Sequence, residues 1–86
     1  MRKYTSIPAV TGNQLIKLLE KDGWIVGRRT RHAISLTKKI NSHTLVTIVK
    51  DTSESLPPKT LGLILGPKQT KIGTKGLLSL LNKYGL

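Results

Sequence analysis

Three short runs, WIVGRR (24–29), HAISLTK (32–38) and TLVTIVK (44–50), constrain this chain more than any other feature. Each is rich in β-branched residues and closely bounded, which predicts a strand. The connections between them, around Thr30 and around Ile40–His43, leave room only for hairpins. A parallel arrangement would need a crossover of roughly a dozen residues or more. What remains is a three-stranded antiparallel sheet, and a sheet that small must bury one face against something else.

The flanking segments supply the cover. Thr11 is placed to cap a helix over Gly12–Asp22, in which Leu15, Ile16, Leu18 and Leu19 fall at helical spacing. Gly23 follows where a left-handed terminator is expected. LPPKTLGLILG (56–66) opens with prolines that suit only a first helical turn, so a short helix is predicted there. Its interior Gly62 costs about 1 kcal/mol relative to alanine, and Gly66-Pro67 stops it. Thr74 is the expected cap of a last helix, Lys75–Tyr84, with Leu77, Leu78, Leu80 and Leu81 apolar and Gly85 as terminator. The expected fold is α+β, a small two-layer domain with helices on one face of the sheet. The leucines read as core, a partner groove being the alternative.

Eighty-six residues make a single domain, 1–86, with no room for a second core. There is no cysteine to form disulfides or a thiolate metal site. The N-terminus, MRKYTSIPAV, lacks the apolar stretch of a signal peptide. LGLIL (61–65), the longest apolar run, is far too short to cross a bilayer. A cytoplasmic protein without a membrane partner is the expectation. Fifteen Lys and Arg against four acids give a net charge of +11. From Gly23 to Lys50 there is no acid, while Arg28, Arg29, Arg31, Lys38, Lys39 and Lys50 all fall within that span. A field of this sign attracts polyanions and raises their encounter rate, which makes RNA the expected partner. The alternative is a basic surface that only keeps the protein solvated.

Motifs narrow the chemistry by exclusion. There is no GxxxxGK(S/T) loop, no GxGxxG after a strand, no HExxH and no Cys/His cluster. Neither a metal nor another cofactor is called for. The acids Glu20, Asp22, Asp51 and Glu54 include no pair evidently placed for acid/base work. Base-stacking readers need aromatics, and this chain has only Tyr4, Trp24 and Tyr84, of which Trp24 reads as core. Binding should therefore work through phosphates, with Arg28, Arg29, Arg31, Lys38 and Lys39 as the candidate contacts. His32 shares strand parity with Ile34 and Leu36, so it is either a structural histidine or a reactive group at the strand's open end. Metal-free ribonuclease chemistry needs a proton carrier for the 2′-OH or 5′-oxygen and cations on the phosphate. His32 and the three arginines beside it could supply both.

IPAVTGNQLIKLLEKDGW, the strand–turn–His-x-Ile segment, TIV and LPPKTLGLIL, in that order and spacing, resemble the HicA family of toxin ribonucleases. Thr11-Gly12, Leu15-Ile16, Leu19 and Gly23-Trp24 fill that family's first-helix pattern. Thr30-Arg31-His32 falls on its Gly-Ser-His, and Leu56, Pro58, Lys59, Thr60, Leu61, Ile64 and Leu65 fall on its second-helix pattern. The resemblance covers about residues 7–66, with the helix at 74–84 similar to C-terminal additions in some members. It implies a fold similar to the double-stranded-RNA-binding domain, α-β-β-β-α with an added C-terminal helix. It also implies an endoribonuclease (mRNA interferase) with His32 as the catalytic residue, neutralised by a HicB-type antitoxin. The chain departs from the family at Thr30-Arg31, where glycine is usual, and at Asp51, where many members carry a second histidine. Its approach to His32 is one residue shorter, and its next hairpin (Lys38–His43) about three longer. A non-catalytic RNA-binding domain and a purely protein-binding module are the alternatives.

Overall fold

A computed structural model of the chain describes residues 4, 7–66 and 69–85. Six elements follow in the expected order: α1 (Gly12–Lys21), β1 (Ile25–Arg29), β2 (Ala33–Ile40), β3 (His43–Lys50), α2 (Pro58–Leu65) and α3 (Gly73–Tyr84). The strands form one antiparallel sheet, ordered β1-β2-β3. Ile34, Leu36, Thr47 and Val49 point to its inner face and are buried, and α1 and α2 pack on that side through β3. The architecture is the two-layer α+β arrangement that the strand and helix patterns predict.

Both ends of α1 are fixed by local chemistry. Thr11 Oγ1 accepts from the Gln14 N–H at 3.1 Å, and Gln14 Oε1 accepts from the Thr11 N–H at 3.0 Å. Such a reciprocal cap contributes about 1 kcal/mol. The Asn13 N–H donates to the Thr52 carbonyl at 3.0 Å, so the chain leaving β3 satisfies another free donor of the helix. That approach is so close that a Cβ on Gly12 would collide with the Lys50 carbonyl oxygen. At the other end Gly23 takes φ +99°. Its N–H donates to Glu20, and the Trp24 N–H donates to Leu19 at 2.9 Å, closing a Schellman motif. Trp24 and Leu19 then enter the core together, with Trp24 only 3% exposed.

Several boundaries differ from expectation: β1 begins at Ile25 rather than Trp24, and β2 at Ala33, which leaves His32 in the turn and not as the first residue of the strand. β2 runs to Ile40, and its register with β3 is unbroken from Ala33↔Lys50 to Ile40↔His43. His43 is therefore the first residue of β3 rather than part of a loop. The connection is the two residues Asn41 and Ser42, both left-handed at φ 47° and 73°, as a primed hairpin turn requires. A further difference lies in α3. It starts at Gly73 with Ile72 at the cap position and no side-chain cap bond, so Thr74 sits inside the helix instead of capping it. Gly66 ends α2 in extended conformation, while Pro67, the other half of the expected stop, lies outside the described residues.

Leu77, Leu80 and Leu81 carry α3 into the same core as the leucines of α1, and Leu78 is half-buried. The Tyr84 hydroxyl donates to the Lys21 carbonyl at 3.1 Å, tying the last helix to the end of the first. No helix among the described residues is long and apolar enough to cross a membrane.

Candidate nucleic-acid interface

His32 lies in the β1–β2 turn at the open end of the sheet, exposed to solvent. Its carbonyl accepts the Asp51 N–H at 3.1 Å, continuing the β2–β3 ladder one step past Ala33↔Lys50. By that register His32 and Asp51 stand opposite each other across the two strands.

The turn closes without glycine because Thr30 does the work. Its hydroxyl accepts from the Ala33 N–H at 3.1 Å and donates to the Ala33 carbonyl at 3.0 Å, while its N–H donates to the same carbonyl at 2.9 Å. Among the described residues the left-handed non-glycine positions are Asn41, Ser42 and Lys71, so the Thr30–His32 turn uses none.

A bulge decides where the arginines go. Val26 faces Leu36 and Arg29 faces Ile34, so two residues of β1, Gly27 and Arg28, oppose the single residue Ser35. Simple alternation would have turned Arg28 toward α1 and Arg29 away from it. The extra residue reverses that. Arg29 lines a cleft of about 280 Å³ with Asn13, Ile16, Lys17, Glu20, Ile34 and Asp51. Arg29 Nη1 reaches Asp51 Oδ2 at 3.4 Å, with the two side chains 67% and 39% exposed. An ion pair that open contributes about 0–1 kcal/mol, so releasing Arg29 toward a phosphate costs little. His32 is not one of the residues that line this cleft.

The five candidate cations separate into two groups. Arg28, Arg29 and Arg31 all lie within four residues of His32, Arg29 on the inner side of the sheet and Arg28 on the outer, and all three are exposed. Lys38 and Lys39 lie six and seven residues farther along, which at strand rise is roughly 20 Å away. Lys38 has structural employment: its ammonium donates to the Asp22 carbonyl at 2.7 Å and pairs with Asp22 Oδ2 at 3.1 Å. A cation there satisfies a free carbonyl and complements the dipole at the end of α1. Lys39 remains exposed.

The sequence reading missed Glu20 and Asp51 as neighbours of one cleft. Asp51 was legible in principle, since it follows Val49 with inward parity just as His32 precedes Ile34. Glu20 was not, because its place depends on how α1 is rotated over the sheet. His43 is exposed beside Ile40, Asn41, Leu45 and Lys71, at the opposite end of β3 from Asp51. Among the described residues no three His, Cys, Asp or Glu side chains converge as a metal site would need.

No family model matches this chain, and no curated protein or solved structure matches it significantly.

Proposed function

We propose that the chain is a metal-independent endoribonuclease, the toxin of a toxin–antitoxin pair, with His32 as its proton carrier. The observation that supports this best is the setting of His32: an exposed histidine in a tight turn, backbone-pinned by Asp51, with exposed Arg28, Arg29 and Arg31 within four residues of it along the chain. In the reaction the RNA 2′-oxygen attacks the adjacent phosphorus while the bond to the 5′-oxygen breaks. The 2′-OH proton must leave and the 5′-oxygen must gain one. Histidine suits either transfer, since its unperturbed charge change lies between about pH 5 and 8. The arginines neutralise the non-bridging oxygens as charge builds on them.

The resemblance to the HicA family points the same way. It adds mRNA as the substrate, the cytoplasm as the location, and a HicB-type antitoxin that covers the His32 turn. The fold order matches that of the double-stranded-RNA-binding domain expected from the same resemblance. The deciding experiment is RNA cleavage by wild type and His32→Ala, with RNA binding and thermal melting measured on both. Loss of cleavage with binding and melting retained supports the reading; full cleavage by a stable variant overturns it.

A non-catalytic RNA-binding domain is the second reading, and one observation favours it. The cleft beside the turn is not lined by His32, so the pocket that holds Arg29 does not hold the imidazole. On that reading wild type binds RNA and leaves it intact.

A further inference from the structure

The outer face of the sheet, away from the helices, has no cover among the described residues. Ile25, Thr37 and Val46 form one row across the three strands, and Ser35 and Ile48 belong to the next. Ile25, Val46 and Ile48 are 68%, 48% and 62% exposed. Arg28, Lys39 and Lys50 are exposed around them, and no strand carries an acid.

The free edge of β3 adds a second, independent feature. The two-residue turn makes Ile40 and His43 a hydrogen-bonded pair. The Asp51-to-His32 bond keeps the same phase at the other end of the ladder. Backbone groups of Thr44, Val46 and Ile48 therefore point away from β2, and no described residue bonds to them. This edge is eight residues long, with no bulge and no proline, which is the form natural sheets rarely leave open. The other edge, β1, is five residues and bulged.

We propose that the β3 edge and its outer face bind an acidic, extended segment of a partner protein by strand addition. Two features choose this occupant. A peptide strand answers both the free donors and the free acceptors, while its alternate apolar side chains cover Val46 and Ile48. RNA offers mainly acceptors and leaves those aliphatic groups wet. A second copy of a chain with net charge +11 would bring two acid-free faces together, whereas an acidic segment complements Lys39 and Lys50. The surface lies across the sheet from the Arg29 cleft, and its test reads peptide binding rather than cleavage, so it stands apart from the ribonuclease reading.

The probe is a blocked ten-residue peptide, added to the full chain. It has two glutamates at each end and alternating valine and threonine between them, so that valines cover Val46 and Ile48 while the end glutamates lie toward Lys39 and Lys50. Its control carries the same charge with two valines replaced by proline. The expected result is saturable binding that slows amide exchange at Val46 and Ile48, absent with the control. Ile48→Pro removes an edge donor that β2 does not use, and should weaken binding about 2–10-fold. The double variant Val46→Ser, Ile48→Ser changes only exposed side chains, leaves the charge as it is and should weaken binding too, which covers the case where proline unfolds the strand. Equal binding of the control would reduce the effect to charge attraction and overturn the proposal. So would protection of Val46 and Ile48 by an RNA oligomer but not by the peptide. A dimer in sedimentation that the double serine variant disperses would assign the edge to a second copy instead.

Discussion

At the scale of single residues, the turn that carries His32 shows how one hydroxyl replaces a glycine. Thr30 closes the turn with bonds to both the N–H and the carbonyl of Ala33. Thr30→Val keeps the β-branched shape and deletes the hydroxyl, leaving the Ala33 N–H with water as its only new partner. About 1 kcal/mol should be lost, and the melting temperature should fall by about 4–8 °C. If His32 cleaves RNA, that variant should lose cleavage out of proportion to its stability, because it loosens the backbone presenting the imidazole. His32→Ala should do the opposite. An exposed side chain fills no core, so stability should change by less than about 0.5 kcal/mol. Cleavage should fall by about 10²–10⁴ if the imidazole acts as general acid or base. A calorimetric scan and an RNA cleavage assay on the two variants separate the roles.

At the scale of elements, the start of α1 sits hard against the end of β3. Gly12→Ala would set a methyl group on the Lys50 carbonyl, which is backbone and cannot rotate away. Ordinarily that exchange in a helix gains about 1 kcal/mol. Here the clash should win, and a melting temperature lower by more than about 10 °C is expected, since overpacking costs about 1–3 kcal/mol or more. The β2–β3 turn predicts the reverse sign. Ser42 holds φ 73°, a conformation that penalises a side chain, so Ser42→Gly should raise the melting temperature by a few degrees. These joints also mark what could be read from the chain. The Thr11 cap, the Gly23 terminator and the three strands announced themselves through local chemistry: a hydroxyl, a missing Cβ, β-branched runs. The bulge at Gly27–Arg28 did not, because it depends on how β1 settles against β2 and no local residue demands it. Yet that bulge decides which arginine faces α1. The start of α3 was misplaced for a related reason: Thr74 has the chemistry of a cap, but Gly73 and Ile72 already belong to the turn that the core holds in place.

At the scale of the whole molecule, charge and fold act on separate faces. The helices and inner sheet face hold the buried apolar residues, while the acid-free strands gather cations at the His32 end and, around exposed Ile25, Val46 and Ile48, over the outer face. Lys38 shows why a cation count overstates a binding surface, since its charge is spent on Asp22. The arginines of the turn and exposed Lys39 are free to reach phosphate, Arg29 at the small cost of leaving Asp51. If RNA binds through them, the logarithm of affinity should fall linearly with the logarithm of salt. The slope is about 0.9 per phosphate neutralised on a duplex and about 0.7 on a single strand. Replacing Arg28, Arg29 and Arg31 together by glutamine should flatten the slope by about two to three on a duplex. Lys38→Gln should leave it nearly unchanged and lower stability, because its loss strips a partner from the end of α1. Asp51→Asn should strengthen binding slightly at low salt by freeing Arg29 and removing an opposing charge. Fluorescence anisotropy across a salt series, with a thermal melt for each variant, reads all three. A slope that the triple arginine variant does not move would place the phosphate contacts elsewhere on the molecule.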